Sequence, residues 1–331
     1  MKIVRILGYV VLLFLLVILF ITFDFNSFVE SIRKVSILGF IGLLFIQVVS
    51  QFLVNYQWCR IGKVMNKDYS FFKMLYINAR GMIIESITPG VKIGGEVTRA
   101  YLLKKEMNYS YQESATLVTI QKMASFFSFF LLNLVSFAHL SGKVEIFQGA
   151  VRAVVFLFLF VFLGILVFMF VGTNVLENWV KNRKPKRKAG IALHKYMLVL
   201  LENIKVLKSI KGEMYKQFFL SSAIWIIYPL KMILLVNLFS VEYNWVFLTE
   251  VTFISYMVGM IPLMPGGLGG FETAMTSLLV LMQIEKNQAL AITLLFRFIT
   301  FWFVILLSLL YTGGWKIGER KKNNPKNQIR T

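Results

Sequence analysis

An all-α, polytopic membrane fold is predicted by three observations on this 331-residue chain. Apolar residues make up 57% of it and charged residues 16%, against roughly a quarter charged in soluble domains. Several stretches reach the roughly 20 mostly apolar residues that a helix needs to cross a bilayer. Two related phrases also break the apolar sequence, 176 residues apart: Pro89-Gly90-Val91-Lys92-Ile93-Gly94-Gly95-Glu96 and Pro265-Gly266-Gly267-Leu268-Gly269-Gly270-Phe271-Glu272. Each runs Pro-Gly, then Gly-Gly, then a Glu seven residues after the Pro. Irregular backbone and a carboxylate are both costly in hydrocarbon, so meeting them at matched points predicts a polar site near the midplane, built from two halves.

Six full spans are read at about 5–23, 36–55, 113–138, 151–172, 216–239 and 288–312, with broken segments at 71–105 and 246–284. The first, Ile6 to Phe23, follows Lys2 and Arg5 as a secretory signal would. It has no small-residue cleavage site before Asp24, so it reads as an uncleaved anchor. Arg60, Lys63, Lys67 and Lys73 place the loop 56–73 in the cytoplasm by the positive-inside rule. Arg99, Lys104 and Lys105 place the far end of the first broken segment there too, which makes it a re-entrant hairpin. The basic loop 173–215 and the basic tail 313–331 are likewise cytoplasmic, whereas the loop around Glu242 carries no Lys or Arg. The second hairpin is therefore expected to begin and end outside.

The result is one integral membrane domain in the cell membrane, with both termini cytoplasmic. Its halves, 1–138 and 151–312, run span, span, hairpin, span with inverted sense, a transporter architecture. Lys122 lies 33 residues after Pro89 and Arg297 lies 32 after Pro265, each in the span that follows its hairpin. Eight ordinary spans with a coincidental Gly-Gly pair are the alternative.

Charge and composition exclude several functions. Of the net +20, residues 173–216 hold +8 and residues 313–331 hold +5, both beside apolar spans. That placement fits topology signals and anionic lipid heads, and nucleic acid is not expected as a partner. Cys59 is the only cysteine, and His139 and His194 lack ligand spacing, so neither a disulfide nor a metal is expected. Neither Gly-rich phrase continues into the Lys-Ser/Thr of a P-loop, and no cofactor is expected. Residues 191–211 read as an amphipathic helix on the inner leaflet, with Leu193, Met197, Leu200, Ile204 and Leu207 on its apolar side. Trp58, Trp179, Trp245 and Trp315 fall near span ends and need only the interfacial-belt reading.

The candidate site follows from the phrases. Pro89, Gly90, Pro265, Gly266 and Gly267 break the hairpins. Gly94-Gly95 and Gly269-Gly270 precede the second arms, where free N–H groups and the positive helix end favour an anion. Arg99, Lys122 and Arg297 add full positive charge, and the planar fork of Arg suits two phosphate oxygens. Glu96 and Glu272 are read as receiving a headgroup amine, balancing the cations, or carrying a proton; local pairing, Glu96 with Arg99 for instance, is the structural alternative. Arg80 with Glu85 reads as an ion pair, and Lys231, after Pro229, either polarises the groove or snorkels to an interface.

The Gly-Gly-Glu-x-x-Arg run ending at Arg99, the Pro-Gly-Gly-Leu-Gly-x-x-Glu run ending at Glu272, and Arg297-Phe298-Ile299-Thr300-Phe301-Trp302 resemble the lysylphosphatidylglycerol synthase/flippase membrane region. The resemblance spans nearly the whole chain. Larger members carry a soluble aminoacyl transferase that makes lysyl lipid, and no such part is read here. The resemblance thus implies lipid translocation rather than synthesis. One departure is Gln121-Lys122, where relatives often carry Glu-Arg.

The leading expectation is a flippase-like protein moving a phospholipid with an anionic or aminoacylated headgroup between leaflets, with a lipid-synthesising enzyme as a further partner. A membrane-embedded transferase of the phosphatidylglycerol lysyltransferase or polyprenyl-phosphate type, with Glu272 as base, is the enzyme alternative. A scaffold recruiting a partner through the basic loop and tail is the third reading.

Overall fold

The structure, a computed structural model, describes residues 29–30, 32–33, 35–65, 67, 70–88, 93–183, 185, 188–210, 212–261 and 265–322. Among these residues every regular element is helical. In order they are α1 (Ile37–Val64), α2 (Phe71–Ile87), α3 (Ile93–Met107), α4 (Tyr111–Leu140), α5 (Gly149–Val171), α6 (Thr173–Lys181), α7 (Lys188–Ser209), α8 (Glu213–Leu238), α9 (Trp245–Gly259), α10 (Gly270–Leu281), α11 (Lys286–Arg297) and α12 (Phe303–Lys322). A π-helical turn, Phe298–Trp302, joins α11 to α12.

Local chemistry sets several starts. Ser110 and Glu113 form a reciprocal capping box at α4, satisfying two backbone N–H groups that an open helix end would strand. Asn244 caps α9 and Glu285 caps α11 without the reciprocal bond, each side chain accepting two backbone N–H groups.

The fold is that of a polytopic membrane protein. α1, α4, α5, α8 and the run Lys286–Gly318 are long and apolar enough to cross a membrane, and they match the spans expected from 36–55 onward. The span expected at 5–23 lies outside the described residues. α5 buries only Leu159, Leu163 and Leu166, one stripe at helical spacing, with Val155, Phe156, Met169 and Phe170 half-buried against the core. Phe158, Phe160, Phe162 and Phe168 are exposed and supply a lipid-facing surface.

Both broken segments fold as antiparallel helix pairs. In the first, Gly81 of α2 faces Arg99 of α3, and Gly95 faces Glu85. In the second, Gly259 of α9 faces Phe271 of α10, and Ser255 reaches Met275. With 17, 15, 15 and 12 residues, these arms are about 18–26 Å long at 1.5 Å per residue, shorter than a hydrocarbon core of about 30 Å. α2–α3 packs against α1, α4 and α12, and α9–α10 packs against α4, α8 and α11, which places the two pairs on one central core.

Several boundaries differ from the sequence reading. α1 continues nine residues past 55, to Val64, because nothing in that stretch breaks a helix. Trp58 consequently lies inside the protein, 2% exposed, and not in an interfacial belt. α12 runs to Lys322, so residues 313–322 of the expected tail are helical, Gly313-Gly314 included. The stretch 173–215 contains two helices, α6 and α7, which pack on each other. The apolar face of α7, with Leu200, Ile204 and Leu207, packs on α4, whereas Leu193 stays exposed. That face is filled by protein, so it offers no apolar stripe to a leaflet.

Candidate functional site

Two charged clusters form where the hairpins meet the spans that follow them. In the first half, α2 supplies Glu85, α3 supplies Glu96 and Arg99, and α4 supplies Lys122. The Arg99 guanidinium donates through Nη1 to Glu96 Oε1 at 2.9 Å and through Nη2 to Glu85 Oε2 at 3.1 Å. Lys122 Nζ stands 2.7 Å from Glu96 Oε1. The indole of Trp58 lies under the guanidinium, 5.8 Å from its ring centre. Arg99 is 6% exposed and Glu85 8%, so these are paired interior charges and not a surface network.

Glycine makes this cluster possible. A Cβ on Gly95 would stand 2.8 Å from the Gly81 carbonyl oxygen, and one on Gly81 would stand 2.6 Å from Arg99 Cγ. The two arms touch backbone to backbone only because both positions lack a side chain. Gly94 meets Thr88 in the same manner. Pro89 and Gly90, expected to break this hairpin, lie outside the described residues.

The second half repeats the arrangement with fewer groups. Arg297, at the end of α11, places Nε 2.9 Å from Glu272 Oε1 on α10. The other carboxylate oxygen of Glu272 accepts the Gly269 N–H at 2.7 Å. Arg297 Nη2 donates to the Gly266 carbonyl, and its guanidinium lies between the rings of Phe271 and Phe301, at 4.8 Å and 4.3 Å. Gly266 and Gly267 have φ of 64° and 70°, a left-handed turn that L side chains resist, and it aims the Gly266 carbonyl at the arginine. The turn begins at Pro265 as a short 3-10 helix.

The glycine pairs thus play a different part from the one the sequence suggested. Gly269 and Gly270 do open α10, but Glu272 occupies the Gly269 N–H that an anion was expected to take. Gly94 and Gly95 lie inside the first turn of α3 and serve close packing. The positive helix ends are already matched by the protein's own carboxylates, since Glu96 and Glu272 both fall in first turns.

A crevice of about 110 Å³ lies between the clusters. Glu85 and Ser86 line it from the first hairpin; Gly266, Gly267 and Phe271 line it from the second. Arg297 and Thr300 close one side, and Gln51, Tyr228 and Tyr256 come from neighbouring helices. Glu85 and Arg297 therefore present opposite charges to one small space. Behind Glu85 the ion pairs run on through Arg99 and Glu96 to Lys122; behind Arg297 stands Glu272.

Sequence reasoning singled out Arg297, Glu272, Glu96, Arg99 and Lys122 and missed the lining role of Glu85. Among the described residues Glu85 pairs with Arg99 and not with Arg80. Its signal was available: it is the one carboxylate of an apolar arm, about one turn from the Pro-Gly break. Lys231 does not snorkel; it is fully buried, bonded to Gln47, 3.5 Å from Ser50 and over the ring of Tyr228. Glu250 is 3% exposed and pairs with His139.

A UPF0104 membrane protein of Methanothermobacter thermautotrophicus is 20% identical over 293 residues, covering 83% of this chain and 85% of the relative. Two relatives of the same description from Methanocaldococcus jannaschii are 23% identical over 272 residues and 29% identical over 227 residues. The first covers 77% of this chain and 78% of the relative; the second covers 68% and 91%. The family described as the lysylphosphatidylglycerol synthase TM region matches residues 5–308, which takes in both hairpins and both clusters, and the chain belongs to that family.

Proposed function

We propose that this protein moves a membrane phospholipid between leaflets by passing its headgroup through the crevice between the two hairpins. The observation that carries the reading is the pair of opposite charges, Glu85 and Arg297, facing one small space deep in an apolar bundle. A headgroup bearing both a phosphate and an amine suits that pair: the guanidinium fork takes phosphate oxygens and the carboxylate takes the ammonium. Aminoacylated phosphatidylglycerol has this chemistry, and an enzyme that makes such a lipid would be the natural partner.

At rest the fork is engaged by Gly266 and Glu272. Phosphate has to displace the Gly266 carbonyl, which ties headgroup entry to movement of the second hairpin turn. The matched pairs Glu96–Lys122 and Glu272–Arg297, 26 and 25 residues apart in sequence, support two inverted halves that alternate access. In that reading both termini are cytoplasmic in the cell membrane, and Gly94, Gly95, Gly269 and Gly270 shape the site without binding phosphate themselves.

The test is purified protein in vesicles holding trace fluorescent lipids with anionic, zwitterionic or aminoacylated heads, read by a membrane-impermeant quencher. Amine-bearing lipids are expected to cross fastest, with Arg297→Ala lowering the rate at least tenfold. An unchanged leaflet distribution for every headgroup defeats the reading.

A further inference from the structure

The crevice does not end at its charged walls. A second cavity of about 150 Å³ shares Gln51 and Met82 with it and is lined almost wholly by carbon. Two helices supply its long walls. On α2 one face carries Leu75, Ala79, Met82 and Glu85, spaced four, three and three residues apart, the interval of a single helical stripe. On α11 and α12 another face carries Arg297, Thr300, Val304, Ser308 and Tyr311 at the same kind of spacing. Each stripe starts at a charge; the α2 stripe continues into apolar side chains, and the other sets Val304, with Leu307 beside it, among the hydroxyls of Thr300, Ser308 and Tyr311. α2 and α12 pack closely along this length, and Tyr311 Oη donates to the Phe72 carbonyl at 3.0 Å, which ties the two helices together at the far end.

The dimensions say what such a slot accepts. From Leu75 to Glu85 the helix rises on the order of 15 Å, half of a hydrocarbon core of about 30 Å. The slot is therefore one leaflet's depth of apolar wall with a carboxylate and a guanidinium at its inner end. A wholly polar solute would leave the apolar wall unmatched, and a hydrocarbon without a head would leave the charges unmatched.

We infer that the slot between α1, α2 and α12 is an acyl-chain subsite, holding one chain of the phospholipid whose headgroup lies between Glu85 and Arg297. The inference rests on the reading of the crevice as a headgroup site and adds the route: the lipid enters sideways, its chain lying against α1 and the joined α2–α12 pair rather than passing between those two helices. Gln51 and Met82 form the waist between head and tail, and chain preference is set by the slot rather than by the charges.

The experiment uses the full-length protein in vesicles of phosphatidylethanolamine and phosphatidylglycerol, doped with a phospholipid carrying a photoactivatable diazirine midway along one chain. Adducts are mapped by mass spectrometry. Adducts at Leu75, Ala79, Val304 or Leu307 are expected to exceed those at the outward-facing Phe160 and Ile165 of α5 by at least fivefold. Ala79→Trp, which fills the slot, is expected to lower slot adducts by that factor and leave α5 adducts unchanged. Equal labelling of slot and α5 in the unmodified protein overturns the inference, and that comparison stands even where the Trp variant does not fold. Slot adducts in a protein that moves no lipid would refute transport and keep the subsite; transport without slot adducts would do the reverse.

Discussion

Arg297 holds three things at once: a carboxylate, a backbone carbonyl and two aromatic faces. Removing it strands Glu272 in a site of low polarity, and breaking a buried pair in this way costs about 3–5 kcal/mol. Arg297→Ala is therefore expected to lower stability by that order, and Arg297→Ala with Glu272→Ala by distinctly less. Thermal unfolding of the purified variants reads this directly, and strictly additive losses would speak against a coupled pair. Gly95 makes a separate claim. A Cβ there meets the Gly81 carbonyl oxygen at 2.8 Å, whereas one on Gly164 meets nothing within 4 Å. Gly95→Ala is expected to cost about 1–3 kcal/mol through forced separation of the arms. Gly164→Ala should be neutral or stabilising, by up to about 1 kcal/mol of helix propensity. The sequence pointed to these glycines but not to their use. A Gly-Gly pair before a helix reads equally well as an anion cradle or as a close-packing surface. Only the neighbouring arm, seen in place, decides for packing at Gly95, and Glu272 fills the cradle at Gly269.

At the scale of elements, the spans were the most legible part of the chain. A run of about 20 apolar residues has few alternatives to a helix in lipid. Hairpin existence was legible too, since Pro-Gly breaks left arms too short to cross. The ends were not: α1 and α12 run on well past the apolar stretch, because charges at a membrane surface do not end a helix and no breaker stands there. α7 was legible as amphipathic, yet its partner was not, since a stripe of Leu and Ile fits a leaflet or α4 equally well. The docking of α6 on α7 gives a pH test outside the spans. Lys205 and then Lys181 bond the Glu177 carboxylate and hold its pKa below the ordinary value. A depressed carboxyl contributes stability above its unfolded pKa of about 4.3 and loses it as pH falls through the folded value. The protection factors of the α6 amides, with the intrinsic pH dependence of exchange divided out, are thus expected to stay constant from neutral pH to about 5 and to fall below that. Glu177→Gln should remove the acid-induced part of the change.

Across the whole molecule, the ion pairs of the two halves place the same kind of partner at the same point: a Glu in the first turn of a returning arm, and a cation on the next span. The halves are not copies. The first adds Glu85 and Arg99, and the second adds a π-helical turn directly after Arg297, a feature that often marks functional segments of helices. This asymmetry puts the carboxylate on one wall of the crevice and the guanidinium on the other, and no reading of either phrase alone predicts it. An alternating mechanism needs the hairpins to dip from opposite faces, so that each opens the crevice to its own side. Cysteine accessibility in sealed vesicles of known orientation measures this directly, with the buried Cys59 replaced by Ser. Single cysteines at Ser70 and Asn108 flank the first hairpin; those at Asn244 and Gln283 flank the second. The expected result is labelling of the first two from the cytoplasmic side only and of the last two from the outer side only. Labelling of either pair from opposite sides, or of all four from one side, would contradict the inverted arrangement on which the transport mechanism stands.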